Sequence, residues 1–127
     1  MAVSYKVISK RPGGMAGERT PKYFPIVTKR KLVNSRTLAE VISERSSFST
    51  PVVIGMIESL IQIIPEMLKK GNNVRLDGLG TFSLHVSGVG KDDPKKVTKR
   101  DITKVKMAFL PSKDIKRDLA TTEFKKA

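Results

Sequence analysis

The chain has 127 residues, of which 29% are charged and 39% hydrophobic, with a formal net charge of +13 and no cysteine. That length suits one domain with an appended segment, and that apolar content excludes global disorder. The missing cysteines exclude disulfides, thiolate metal sites and cysteine nucleophiles, and they agree with a reducing compartment. No uninterrupted run of 18 apolar residues points to a membrane span, and Met1–Lys10 lacks the apolar stretch of a secretion signal, so a cytoplasmic location is expected.

The charge is unevenly spread. Residues 1–33 hold eight Lys or Arg against Glu18 alone; residues 34–82 are balanced, five against five; residues 83–127 hold twelve against six. Solvated surfaces collect lysine everywhere, whereas an imbalance confined to the flanks is the electrostatic footprint of a polyanion binder.

Residues 1–32 read as a basic extension with two strand candidates, Val3–Ile8 and Tyr23–Thr28. Pro25 restricts the second to a sheet edge. Pro12, Gly13, Gly14 and Gly17 between them read as loop. A first helix starts at Asn34 or Ser35, either a good cap, carries Leu38, Val41 and Ile42 at helical spacing, and ends at Ser46-Ser47. Phe48 is expected to plug the corner that follows.

A second helix is capped by Ser49 or Thr50, has Pro51 in its first turn, and closes at Gly71. Its apolar residues, from Val52 to Leu68, cover well over one face. A helix apolar nearly all round must be buried nearly all round, and one short companion helix cannot do that. A second copy of the chain is the simplest cover; the N-terminal strands are the other. Pro65, inside this helix, is expected to kink it or remove one hydrogen bond.

Val74–Asp77 alternates like a strand. After Gly78-Leu79-Gly80, Thr81–Val86 alternates again, with Phe82, Leu84 and Val86 on one face. A turn-rich stretch from Gly88 to Lys96 leads to a return strand, Val97–Phe109, with Val105, Met107 and Phe109 on one face and a bulge near Asp101-Ile102. Phe82, Leu84, Met107 and Phe109 read as core, and Gly78 and Gly80 as turn and close-packing residues. Pro111-Ser112 opens a short helix holding Ile115 and Leu119, and Thr121–Ala127 is expected to fray.

The order is helix, helix, cationic β-ribbon, short helix. Within it, Val33–Phe82 resembles the N-terminal half of the HU and integration host factor family. The resemblance rests on Asn34, Leu38, Ile42, Phe48-Ser49, Glu58, Leu68, Gly71, Val74 and Leu76, and above all on Gly78-Leu79-Gly80-Thr81-Phe82. Phe109, Ser112-Lys113 and Lys116 resemble the family's last strand and final helix. The resemblance covers about residues 33–120. It implies an α+β, HU-like fold: a two-helix body, a sheet with a projecting arm at about 84–106, a short C-terminal helix, and an intertwined dimer. Two such arms reach around duplex DNA in its minor groove and hold it bent.

This chain departs from the family at the arm tip. The family carries Arg-Asn-Pro-x-Thr-Gly there; this chain has Gly90–Lys96, with Pro94 as the candidate wedge behind two aspartates. Residues 1–32 have no counterpart in ordinary HU.

The expected DNA-contacting residues are Lys91, Pro94, Lys95, Lys96, Lys99, Arg100, Lys104 and Lys106 on the ribbon, and Lys113, Lys116 and Arg117 on the last helix. Lysines dominate the ribbon, and a lysine is a point charge rather than a bidentate base reader, so little sequence preference is expected. No catalysis, cofactor, small-molecule substrate or membrane partner is expected. The lone His85 lacks the companions of a metal site or a catalytic triad. A nucleoid-associated homodimer on duplex DNA is the leading expectation. An RNA-binding or ribosome-associated protein and a protein-assembly factor are the alternatives. The ribbon's lack of aromatics argues against stacking on single strands.

Overall fold

The computed structural model describes residues 2–10 and 21–127; the expected loop at Pro12–Gly17 lies outside them. The chain divides into two compact units, Met1–Val33 with Asp118–Ala127, and Asn34–Arg117.

The larger unit begins with α1 (Ser35–Arg45) and α2 (Thr50–Lys69). Asn34 caps α1: its Oδ1 accepts from the Thr37 N–H at 3.0 Å. The corner is set by polar groups. Ser43 Oγ donates to the Phe48 carbonyl at 2.8 Å, and the Phe48 N–H donates to Ser46 Oγ. The Phe48 side chain stays half exposed, so within one chain it does not plug the corner as expected.

Pro51 opens α2 without a side-chain cap, and the helix runs through Pro65 to a close at Gly71. There the Gly71 N–H donates to the Leu68 carbonyl and the Asn72 N–H to that of Met67. This paired closure needs the left-handed backbone that Gly71 adopts, φ +89°.

The second sheet has the order β3-β4-β5, all antiparallel: β3 (Val74–Leu76), β4 (Gly80–Gly88) and β5 (Ile102–Pro111). The Gly-Leu-Gly turn joins β3 to β4, with Gly78 at φ +86°. Ser112 locks this turn from the far end of β5. Its N–H donates to the Leu79 carbonyl, its Oγ donates to the Gly78 carbonyl, and the same Oγ accepts from the Ile115 N–H, capping α3 (Lys113–Leu119).

Gly80 is a glycine for lack of room. A Cβ there would stand 2.5 Å from the Leu110 carbonyl oxygen and 2.6 Å from the Phe109 ring. Gly80→Ala is therefore expected to cost about 1–3 kcal/mol through overpacking, read as a lower urea midpoint.

In the smaller unit, β1 (Val3–Lys10) pairs antiparallel with β2 (Lys22–Val27), and Pro25 lies on β2 at the sheet edge, as its missing N–H requires. The C-terminal residues form β6 (Phe124–Lys126), parallel to β1 on its other side. This corrects the expected fraying of 121–127. The Val3 N–H donates to the Glu123 carbonyl and the Ala127 N–H to that of Tyr5, so β1's second edge supplies the partners that hold the tail.

One chain buries little. Ala39, Val53 and Leu68 are its buried hydrophobic core among the described residues. On α2, Val52, Met56, Leu60, Ile61 and Ile63 are each more than 40% exposed, and so are Leu84, Met107 and Phe109 of the expected core. α2 also meets the length and composition of a membrane span, with a mean hydropathy of 1.5. It escapes notice as an unbroken apolar run because Glu58, Gln62 and Glu66 interrupt the helix.

Candidate nucleic-acid interface

β4 and β5 pair along their whole length and form the proximal arm. Their register sets Phe82 against Phe109, Leu84 against Met107, and Val86 against Val105. Directly opposed residues share a face, so these six make one apolar face. The Phe82 and Phe109 rings, with centroids 4.8 Å apart, anchor it at the body. The alternate positions make the other face: His85 opposite Lys106 and Ser87 opposite Lys104. His85 Nε2 shares a hydrogen bond with Ser83 Oγ at 2.9 Å and is an ordinary member of that polar face. The register slips after Ser87, where Gly88 pairs with Ile102 and leaves Thr103 unpaired. This is the expected bulge, one residue further along.

Beyond the slip the arm is not a ribbon. Two 3-10 turns form the tip: Pro94–Lys96 lies in the expected turn-rich stretch, whereas Lys99–Asp101 replaces the start of the expected return strand, and β5 begins at Ile102. Two carboxylates explain this. Asp93 Oδ1 accepts from the Lys95 N–H at 3.0 Å and caps the first turn, with Pro94 in the turn's first position. Asp101 Oδ2 accepts from the Thr98 N–H at 2.9 Å, while its Oδ1 pairs with Lys91 Nζ at 3.5 Å. Its carboxylate is only 15% exposed. The Val89 N–H donates to the Asp101 carbonyl, which comes so close to Gly88 that a Cβ there would collide with it. The tip is thus a folded cap.

Asp101→Ala should therefore free the Thr98 amide and speed its hydrogen exchange, with the body amides unchanged. Asp101→Asn, which keeps an acceptor, should show a smaller effect.

The predicted residues sort accordingly. Lys95, Lys96, Lys99 and Arg100 are all exposed on the two turns. Lys104 and Lys106 are exposed on the polar face of β5. Among the described residues none of these six makes an ion pair. Lys91 differs, being held by Asp101. Pro94 is exposed at the tip. On α3, Lys113, Lys116 and Arg117 are exposed, and one helical turn brings them to one side. Arg117 also reaches Asp114 at 3.9 Å, a loose pair of two exposed groups that solvent screens.

Sequence reading missed Asp93 and Asp101 as structural residues, and it placed Ser112 at the start of the last helix without its bond to the Gly78 carbonyl. For Asp101 a signal was present: Thr98-x-x-Asp101 has the spacing of a capping box.

A helix pair with a three-stranded sheet that runs on into a cationic two-stranded arm and a short final helix is the α+β, HU-like fold. The chain belongs to the HU-HIG family, described as an HU domain fused to a wHTH, Ig or glycine-rich motif, whose model matches residues 1–126. It is 28% identical over 74 residues to integration host factor subunit alpha of Erythrobacter litoralis (strain HTCC2594), a match covering 58% of this chain and 68% of that one.

Among solved structures, it resembles a bacterial protein from Bacteroides vulgatus ATCC 8482, provisionally described as DNA-binding. That similarity has a TM-score of 0.70 at 10% identity and covers 98% of this chain. This chain spans about half of that protein, 48%. It also resembles the HU of the Anabaena HU–DNA cocrystal structure, with a TM-score of 0.56 at 19% identity over 70% of this chain and 99% of that one.

Proposed function

We propose that this protein is an architectural, nucleoid-associated DNA-binding protein. It grips duplex DNA through its cationic arm, with little sequence preference, and holds it bent. The observation that carries the reading is the six exposed arm cations, Lys95, Lys96, Lys99, Arg100, Lys104 and Lys106, with no ion-pair partner among the described residues. A projecting set of uncompensated cations repels itself, and a polyanion relieves that repulsion while releasing condensed counterions. The relatives named above support duplex DNA as that polyanion. In this reading Lys113, Lys116 and Arg117 hold flanking phosphates, and Pro94 wedges a base step.

The active form is a homodimer. The half-exposed apolar faces of α2 and of the arm need cover, and a second copy supplies it. Insertion of α2 into a bilayer would instead bury Glu58 and Glu66, each at about 2.5 kcal/mol or more near the centre.

The test is a gel-shift competition among linear, kinked and four-way duplex DNA and duplex RNA at several salt concentrations. Kinked and four-way DNA should win, with affinity falling steeply as salt rises. Equal or better binding to duplex RNA would sink the reading.

A further inference from the structure

The β1-β2-β6 unit has a cationic concavity of its own. An open groove lies beside the sheet; Lys29, Arg30 and Lys31 line it together with Thr28, Thr121 and Thr122 and with apolar residues such as Val3 and Val27, and Glu123 is the one acidic residue of its lining. Three consecutive cations carry the charge that phosphodiester oxygens take, beside the hydroxyl-bearing Ser4 and Thr28; the Thr121 and Thr122 hydroxyls donate instead to the Asp118 and Leu119 carbonyls. Lys29, Arg30 and Lys31 make no ion pair among the described residues.

The backbone at the groove is unusual as well. Lys29 has φ +56°, a left-handed conformation that side-chain-bearing residues seldom adopt, and it is the one such residue other than glycine among those described. It directs the basic run immediately after β2 ends at Val27. The sheet adds more positive charge. The register places Lys6, Lys10 and Lys125 on one face, since Lys6 and Lys10 are alternate positions of β1 and Lys125 pairs with Ser4.

We propose that this groove is a second DNA-backbone site, separate from the arm, that takes phosphates of the same duplex. The inference rests on the DNA-binding reading above and deepens it. A second grip joined by the chain to the first acts at high effective concentration, so it lengthens the occupied DNA and strengthens binding without needing high affinity of its own. Glu123 opposes the phosphate charge and limits that affinity.

The experiment compares the full-length protein with a triple variant, Lys29→Asn, Arg30→Gln, Lys31→Gln, in which asparagine tolerates the left-handed position. A control variant, Lys69→Gln with Lys70→Gln, removes charge from residues that belong neither to the arm nor to the groove's lining. Salt dependence of affinity and the length of duplex protected from nuclease are measured on one long duplex. The triple variant should lower the log–log salt slope by about 0.9 for each phosphate it no longer neutralises, up to roughly 2.7 per protomer. It should also shorten the footprint, while the control leaves the footprint unchanged. Glu123→Gln should tighten binding. An unchanged footprint and slope in the triple variant, with the parent protein still binding DNA, would overturn the second site and leave the arm reading standing. Absence of DNA binding by the parent protein would overturn both.

Discussion

Replacing Lys95, Lys96, Lys99 and Arg100 together with alanine should weaken duplex binding by at least roughly a hundredfold near physiological salt and flatten its salt dependence. The four residues lie on the two 3-10 turns of the arm tip, exposed and free of ion pairs among the described residues. Each neutralised phosphate adds about 0.9 to the salt slope, so eight cations on the two arms of a dimer account for up to roughly seven. Asp93 and Asp101 hold the tip through backbone amides, and alanine keeps those amides. The loss should therefore appear in affinity and slope, with the urea midpoint and the oligomer mass unchanged. Unchanged affinity would show that the arm is not the grip. Weaker affinity with an unchanged slope would show that these cations do not meet phosphate.

Ile61→Glu should abolish the dimer. Ile61 is 58% exposed on α2 in the single chain, among the most open apolar side chains of that helix. If a second copy covers α2, the substitution buries two uncompensated carboxylates per dimer, at several kcal/mol each. That is comparable with the whole stability of a small protein. Among the described residues, the separated chain would keep Ala39, Val53 and Leu68 as its hydrophobic core. Helix content should therefore fall together with the mass seen by light scattering. Ile61→Leu, which conserves volume, should leave both nearly intact. A folded Ile61→Glu dimer would place the interface elsewhere.

The body was readable because local rules agree there. Asn34 caps where its chemistry suits it, Gly71 closes a helix that runs out of apolar residues, and Gly80 stands where two strands and the Phe109 ring converge. The alternation in Thr81–Val86 and Val105–Phe109 predicted the apolar faces of the two strands, and the structure adds the register that sets Phe82 against Phe109. The arm tip departs from the expected strand because Val97–Arg100 holds one apolar residue and no alternation of its own. What decides its shape is a carboxylate contact from Asp101 to Thr98 and a ring constraint at Pro94. The tail was misread for a related reason: Phe124–Lys126 has little to hold it until β1, more than a hundred residues earlier in the chain, offers an open edge.

Composition and order alone fix that this is a basic α+β chain with a helix too apolar to stand unaccompanied and a ribbon too charged to be mere surface. Those properties follow from side-chain type and short-range spacing. Three other features depend on groups distant in sequence meeting in space. One is the folded tip, in which Lys91 is tied up while its neighbours stay free. Another is the Ser112 lock on the Gly-Leu-Gly turn. The last is the union of both chain ends in one sheet, which turns the basic extension into a structured unit with a groove of its own.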